Sequence, residues 1–259
     1  MIRGASRPGW GEATMLKRGS LLLVLAVAVA GCSGDSQNNA GAPPPAAPAA
    51  SAASDAPNPA DFSTNITNPL FPLSSLRTIE FSGTQRDPDG DTVKTRSVKH
   101  LLDKTDTIAG VAVAVLEVKE YEDDQLVEQT EDYFAQHRDG SVWYFGERVN
   151  DYEDGKLVGH EGQWLAGEGN SKPGLYMPAN PTVGQEFEQE QAPGVAEDRS
   201  KVVQLNVDVA MPAGKFTGCM KTEDFAPLDK VTEFKFYCPR VGLVREEFTN
   251  GSSELIRFA

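Results

Sequence analysis

Regularly spaced turn signals between short apolar runs constrain the fold of this chain most strongly. Three turns rich in Asp, Glu and Gly, at 123–125, 138–140 and 153–155, separate runs of strand length. Further along, residues 201–211 alternate apolar and polar side chains, which is the pattern of a strand buried on one face. A series of such hairpin signals is typical of an antiparallel meander. Since no long segment has helical periodicity, we predict an all-β fold.

Residues 61–259 are predicted to form a single, mostly antiparallel β domain. An antiparallel sheet with one wet face has to bury its other face, either by curling or by packing on a second sheet. We expect a strongly curved sheet or incomplete barrel, and a β-sandwich is the alternative. The predicted strands lie at 76–85, 92–102, 111–121, 126–136, 141–152, 156–166, 186–191, 201–211, 215–224, 232–238, 243–248 and 254–258.

A lipoprotein export signal is predicted ahead of this domain. Lys17 and Arg18 precede an apolar run, 21–30, which is too short for the about 20 residues that span a bilayer. A positive region, an apolar run and a small residue in that order define a secretory signal. The cysteine that follows, Cys32, resembles the lipid-bearing residue of bacterial lipoproteins. We therefore expect residues 1–31 to be a signal peptide, with its true start at Met15.

Residues 32–60 are predicted to be a lipid-anchored, disordered tether. The segment is rich in Pro, Ala and Ser and has almost no large apolar residue, so it cannot offset its ordering entropy by burial. Acyl chains such as palmitate on Cys32 would attach the protein to the bacterial membrane. Ser33 follows the cysteine where an Asp indicates inner-membrane retention. By resemblance to sorting in two-membrane bacteria, this favours the outer membrane, facing the periplasm.

The charge of the chain excludes some partners. The net charge is −14, and because residues 1–31 carry a net +3, the rest carries −17. Such an acidic surface argues against nucleic acid, whose phosphates require Lys and Arg. It argues equally against electrostatic docking on anionic lipid. Binding of a cation or a basic partner stays open.

Several short segments of the β domain carry a family resemblance. They are NPLFPL at 68–73, YFAQ at 133–136, DGSVWYFGE at 139–147, KPG at 172–174, MPA at 177–179, PGVAED at 193–198 and VGLV at 241–244. With these segments the chain resembles an uncharacterised family of bacterial exported β-rich proteins and lipoproteins. The resemblance implies an exported β-rich domain and brings no known catalytic residues.

Two cysteines, Cys219 and Cys238, lie in the β domain, and outside the cytoplasm such a pair can form a disulfide. Pairing Met220 and the apolar residues of its strand with Phe236 and its neighbours directs the two thiols to opposite faces. A bulge would correct this parity. A disulfide and two buried reduced thiols therefore both stay open.

The strongest polar candidate is acidic. Glu186, Glu188 and Glu190 alternate along one strand, and Glu197 and Asp198 follow. Carboxylates in a row repel one another unless they are solvated or neutralised by a cation. The pattern fits an exposed strand face, and the alternative is a calcium or cationic-ligand site.

An aromatic set lies on adjacent predicted strands: Tyr133, Trp143, Phe145 and Trp164. Cross-strand aromatic residues normally form core. The alternative is a cleft for an apolar or glycan ligand, as curved open sheets provide. The ligand-binding candidates are therefore Tyr133, Trp143, Trp164, Glu188, Glu190, Glu197 and Asp198.

No catalytic or metal-binding signature is present. The sequence has no phosphate loop, nucleophile elbow, HExxH motif or paired CxxC, and its three histidines are widely spaced. We expect a cell-envelope lipoprotein that binds a lipid, another hydrophobic ligand or an envelope protein without catalysis. One alternative is a secreted hydrolase that pairs Glu190 with Glu197 or Asp198. The other is a structural or assembly role. No cofactor is expected, and calcium is the alternative.

Overall fold

The computed structural model describes residues 57–87 and 89–259. The predicted signal peptide, Cys32 and most of the tether lie outside these residues. The described part is all-β and forms one antiparallel sheet of fifteen strands that is not closed into a barrel, as the sequence predicts. Within it, no helix has the length and apolar character needed to cross a membrane.

Two short 3₁₀ turns accompany the strands, at Pro59–Asp61 and Leu73–Ser75. In chain order the strands are β1 (Phe62–Ser63), β2 (Thr78–Arg86), β3 (Thr92–Ile108), β4 (Val111–Glu122), β5 (Gln125–His137), β6 (Val142–Glu153), β7 (Lys156–Gly159), β8 (Trp164–Leu165), β9 (Gly174–Met177), β10 (Glu186–Glu188), β11 (Arg199–Met211), β12 (Gly214–Ala226), β13 (Val231–Cys238), β14 (Gly242–Phe248) and β15 (Gly251–Phe258).

The sheet consists of two meanders joined at a seam. One meander runs from β2 to β7 and the other from β10 to β15, and each strand pairs with its neighbour in sequence. The seam is the ladder between β2 and β15. Several hairpin turns use consecutive residues with positive φ, at 109–110, 123–124 and 154–155, which matches the twist of the flanking strands.

The curvature of the sheet brings distant strands together on its concave face. Tyr176 on β9 lies close to Tyr237 on β13, although many strands separate them in the sheet. The two ends of the sheet also approach each other, because the amide of Lys172 donates to the carbonyl of Gln191 at 2.9 Å. This contact is a single isolated bridge, so the sheet stays open.

Segment 64–77 fills one end of the concavity, and we call it the plug. Phe71, Leu73 and Leu76 in the plug are buried. The Phe71 ring lies 5.0 Å from the Phe134 ring and 4.8 Å from the Tyr176 ring. Aromatic packing of this kind supplies large apolar burial with defined geometry.

Asn68 fixes the plug in place. Its side-chain Nδ2 donates to the carbonyls of Gly140 at 2.9 Å and Pro178 at 3.1 Å, and its backbone N–H donates to Gln136 Oε1 at 2.9 Å. Only 3% of Asn68 is exposed, so these bonds satisfy a buried amide. Four of the sequence segments that carry the family resemblance meet at this point.

A disulfide joins Cys219 and Cys238 across β12 and β13. Met220 lies opposite Tyr237 and not opposite Phe236, one position away from the register that the apolar patterns favour. The expectation that the thiols point to opposite faces is therefore wrong. The two cysteines lie directly across from each other, with Cα atoms 4.1 Å apart.

Replacing both cysteines with alanine should lower the free energy of unfolding. The bond links residues 19 apart in sequence, and a loop of this size contributes about 3 kcal/mol by restricting the unfolded chain. Urea denaturation of the wild type and of the Cys219→Ala/Cys238→Ala variant measures the difference. Adding a thiol reductant should weaken the wild type and leave the variant unchanged. Equal midpoints for both proteins without reductant would contradict this contribution.

Candidate functional site

The concave face carries a continuous set of polar side chains from both meanders. Strand alternation and the cross-strand partners place them on this face, and they interact electrostatically across it. We call this set the inner cluster. Its members are Lys99, Asp132, Tyr144, Glu147, Trp164, Tyr176, Glu190, Asp198, Asp224, Lys235, Tyr237 and Glu246.

A β-bulge in β6 brings two members of the cluster to the same face. Residues 132–134 of β5 lie opposite residues 144–147 of β6, so β6 contains one extra residue. Gly146 takes up this extra residue with φ 111°, and a Cβ there would lie 2.2 Å from a main-chain oxygen of β8. Tyr144 and Glu147 therefore both face inward, although regular alternation would place them on opposite faces.

Four carboxyl groups of the cluster resist ionisation, and burial raises the pKa of one of them, Asp198, to about 6. Burial raises the pKa of Asp132 to about 6. Burial, followed by the charge of Asp198, raises the pKa of Glu190 to about 8. Burial and the charges of Asp132 and Glu190 raise the pKa of Glu147 well above its usual range. Each residue nevertheless keeps part of its surface accessible, as expected for groups that line a concavity.

Lys235 is the cation at the centre of the second meander. Its Nζ lies 3.3 Å from Asp224 Oδ2, 3.8 Å from Glu233 Oε2 and 3.9 Å from Glu246 Oε1. Burial lowers the pKa of Lys235, but these negative neighbours outweigh it and leave the pKa well above its usual range. The lysine therefore stays charged and is already surrounded by carboxylates.

Lys99 is the corresponding cation of the first meander. Burial lowers its pKa, and Glu246, Tyr176 and carboxylates that include Asp132 raise it above the usual range. Glu246 thus interacts with both Lys99 and Lys235, which come from opposite meanders. The two halves of the cluster are therefore coupled across the concavity.

Several buried polar atoms in this region have no hydrogen-bond partner. Native proteins pair nearly all such atoms, so a concentration of unpaired ones marks a place for ordered water or a polar ligand. Among the described residues six such side-chain atoms occur. Thr95 Oγ1 lies outside the cluster, and Asp224 Oδ2 has the Lys235 ammonium as its ion-pair partner at 3.3 Å. The other four belong to the inner cluster or its immediate neighbour Thr222: Asp132 Oδ1, Trp164 Nε1, Thr222 Oγ1 and Tyr237 Oη.

Two openings adjoin the cluster. A cleft of about 300 Å³ has a mainly polar lining, and Glu190 forms part of it. A smaller cavity of about 40 Å³ lies against the plug and touches Lys99, Asp132 and Tyr176. The cleft has the size of a small-molecule site, and the cavity has room for water or a small chemical group. The charged residues of the cleft are Lys172, Glu188, Glu190, Glu197 and Arg199.

The acidic residues that the sequence predicts do not form one row. Glu186 is exposed and pairs with Lys201 at 2.7 Å. Strand β10 ends at Glu188, and the amides of Gln189 and Glu190 then both donate to the carbonyl of Asp198. Two amides on one carbonyl mark a β-bulge, which breaks the expected alternation.

Glu190 and Asp198 consequently enter the inner cluster, where the charge of Asp198 raises the pKa of Glu190 and the charge of Lys235 lowers the pKa of both. Glu188 and Glu197 line the cleft outside it. The structure thus brings the four acidic ligand-binding candidates to one region of the protein, two in the inner cluster and two in the cleft outside it.

The predicted aromatic set divides between the two faces of the sheet. Tyr133 and Trp143 lie on the convex face, where Phe62 packs against Trp143 at 6.5 Å. Trp164 lies on the concave face, with its ring 5.5 Å from the Tyr144 ring. The predicted strand 156–166 is interrupted after Gly159. Because of this break, Trp164 belongs to the separate strand β8 and lies opposite Glu147 of β6 on the concave face.

Sequence reasoning missed Asp132, Glu147, Lys99 and Lys235. One signal was available, because Lys235 lies between two phenylalanines in a strand with apolar residues on both faces. A charged residue inside such a strand has to find partners within the protein. For Glu147 no such signal exists, since its orientation depends on the bulge.

Among residues 57–87 and 89–259, no group of three or more His, Cys, Asp and Glu side chains is placed to hold a metal ion. The side chains of the inner cluster can form hydrogen bonds, pair charges and transfer protons. No family model, no curated protein and no solved structure matches this chain. The function has to be argued from the site itself.

Replacing Glu190 with glutamine should change the pH dependence of stability. The folded protein holds a proton on Glu190 up to about pH 8, whereas an unfolded glutamate loses it near its ordinary pKa of 4.5. The stability from this proton is complete below about pH 4.5 and is lost as the pH rises through about 8. Glutamine imitates the protonated form.

We therefore expect Glu190→Gln to match the wild type near pH 4.5 and to exceed its free energy of unfolding by several kcal/mol near pH 8.5, since each unit of raised pKa corresponds to about 1.4 kcal/mol. Urea denaturation at both pH values measures this. The exposed Glu186→Gln variant is the control and should gain no stability at high pH. A glutamine variant at 190 that is weaker than the wild type at high pH would contradict the raised pKa.

Proposed function

We propose that this protein is a lipid-anchored envelope module that holds a small polar ligand on the concave face of its sheet. The observation that carries the proposal is the concentration of unpaired buried polar atoms in and beside the inner cluster, next to an open cleft. A ligand that enters the cleft and reaches the cluster would satisfy these atoms.

The lining of the concavity favours a polar ligand over a lipid. Its apolar end is already filled by the plug, which leaves only about 40 Å³ beside it. The larger opening has carboxylates, a lysine and an arginine on its walls. A hydrocarbon chain placed there would desolvate charged groups without giving them partners. The hydrophobic ligand that the sequence suggests is therefore the less favoured choice.

The anchor and the location belong to the same proposal. Cys32 would carry the acyl chains, and the segment 33–56 would tether the domain. We propose that in a bacterium with two membranes the protein is held at the outer membrane and faces the periplasm, which the signal sequence and Ser33 support. A ligand-binding domain on such a tether would act close to the membrane surface.

A matched pair of tryptophan variants tests the binding site. Trp164→Phe removes an unpaired donor from the inner cluster, and Trp143→Phe removes a convex-face donor that already bonds Ser141 Oγ at 3.0 Å. The purified chain is incubated with a small-molecule extract of bacterial envelopes, and retained compounds are identified by native mass spectrometry.

We expect the wild type and Trp143→Phe to retain the same compound. Trp164→Phe should retain it at least about tenfold more weakly, because the indole ring and its N–H form part of the inner cluster. If no compound is retained, or if Trp164→Phe retains it as well as the wild type, the concave face is not the binding site.

A second candidate function is hydrolysis by Glu190 and Asp198. Their pKa values of about 8 and about 6 leave Glu190 protonated and Asp198 mostly ionised near neutral pH. Two carboxyl groups with separated pKa values can act as general acid and base. Burial is the main cause of both shifts, and both groups lie beside the cleft.

Hydrolysis should show a bell-shaped pH profile between about 6 and about 8, and Glu190→Gln should lower the rate at least about 100-fold by removing the acid. A panel of chromogenic glycosides and esters provides the measurement. Wild-type protein that turns over none of them would count against this activity, as would a Glu190→Gln variant with an undiminished rate.

A further inference from the structure

Resting on the proposed binding function, we infer that the ligand of the inner cluster is an organic cation with N–H donors, such as a primary ammonium or guanidinium compound. This assigns a chemical class to the site. Four lines of observation lead to it: the charge balance of the cluster, its unpaired acceptors, its aromatic faces and the polar cleft that leads to it.

Negative groups outnumber positive ones in the cluster. Near neutral pH Glu147 and Glu190 keep their protons, and the other carboxyl residues of the cluster are Asp132, Asp198, Asp224 and Glu246. They outnumber the two cations, Lys99 and Lys235. Both lysines already interact with several of these carboxylates. A cationic ligand would supply the missing positive charge, whereas an anion would add to the repulsion.

Unpaired acceptors in the cluster require donors from the ligand. Thr222 is fully buried and its hydroxyl oxygen has no hydrogen-bond partner. Tyr237 is 1% exposed, and its hydroxyl interacts with Tyr176, which leaves the acceptor positions of its oxygen open. Both residues face the concave side beside Lys235. On the first meander Asp132 Oδ1 is likewise buried and unpaired. An ammonium or guanidinium group presents several N–H donors at once, so it fits such a set of acceptors.

Aromatic rings flank the two carboxyl groups that the first meander contributes to the cluster. The Tyr144 and Trp164 rings meet edge to face at 5.5 Å, and the Tyr176 ring lies 5.9 Å from the Tyr144 ring. Asp132 and Glu147 both interact with Tyr144. Carboxylates among aromatic faces form a common environment for organic cations, because the ring faces are negative.

The cleft gives such a ligand a route to the cluster. Glu188 and Glu197 line the cleft, and Glu190 connects it to the cluster. A neutral polyol would also pair the unpaired atoms, but it would leave the negative charge uncompensated. The polyol is therefore the competing outcome of the test.

Cation binding should release protons from the cluster. A positive charge next to Glu190 favours its ionised form, so a ligand displaces the proton that the empty site holds there. Affinity should accordingly rise as the pH rises from about 6 to about 8.5. The groups that face Glu190 from the packed elements are Asp198, Lys235, Asp132, Glu147, Tyr144 and Trp164.

Isothermal titration calorimetry of the full chain in detergent tests this inference with three probes of similar length. Putrescine is the cation, butane-1,4-diol is its neutral counterpart and succinate is the anion. Titrations at about pH 6 and about pH 8.5, in two buffers with different ionisation heats, report affinity and proton release together.

We expect putrescine to bind at least about tenfold more tightly at the higher pH, with protons released, and at least about tenfold more tightly than the diol. Asp132→Asn should weaken putrescine binding at least about tenfold, and the exposed Glu186→Gln control should leave it unchanged. Should Asp132→Asn fail to fold, Glu190→Gln provides the second variant and should abolish most of the pH dependence.

Three outcomes overturn the inference: the diol binds as tightly as putrescine, succinate binds more tightly, or none of the probes binds. Putrescine that binds equally well to the wild type and to both cluster variants overturns it as well. The proposed binding function is judged separately, by whether the envelope extract yields a compound that Trp164→Phe loses. If the extract yields a polar ligand and the probes show no preference for the cation, the proposed binding function is kept and the cation inference is rejected.

Discussion

The ladder between β2 and β15 is the interaction on which the rest of this structure depends. It joins two hairpin meanders into one sheet, and the curvature of that sheet creates the concave face. Gly83 permits the approach, because a Cβ there would lie 2.0 Å from the Ser252 oxygen. The carbonyl of Ala259 extends the seam by accepting the amides of Arg77 and Thr78. Without this seam Lys99 and Glu246 would belong to separate sheets.

The inner cluster is held at an energetic cost that the surrounding packing offsets. Burying several carboxyl groups side by side disfavours their ionised forms, and partly satisfied polar networks are costly in a low-dielectric interior. The plug, the aromatic contacts of Phe71 and the disulfide stabilise the same concavity from its edges. Strongly shifted pKa values beside an open cleft are typical of functional sites, and a purely structural network would leave fewer atoms unpaired.

The sequence predicts those parts of the fold that are local. Turn residues and strand alternation indicate the hairpins, and the all-β class follows from them. The seam is not predictable in this way, since β2 and β15 lie at opposite ends of the domain. The predicted register of the two cysteine strands was also wrong. Matching apolar residues favours Met220 opposite Phe236, but β13 has buried side chains on both faces, and Met220 lies opposite Tyr237.

The site was predictable to a similar extent. Glu190, Asp198 and Trp164 stand out as an acidic and an aromatic signal, and all three reach the inner cluster. Their partners Asp132 and Glu147 depend on a bulge at Gly146 and on curvature that brings distant strands together. The two-residue periodicity of a strand predicts neither the bulge nor the curvature. A single extra residue moves all later side chains of that strand to the opposite face of the sheet.

The seam also has a consequence for the order of folding. Each meander is made of hairpins whose partners are close in sequence, so each can form early and at little loop-closure cost. The β2–β15 ladder joins residues such as Ile79 and Phe258, which is the longest-range pairing in the described sheet. Such contacts are slow to form, and we infer that the ladder is the last step of folding. The binding site would then come into existence only at the end of the folding reaction, when the final strand docks against β2.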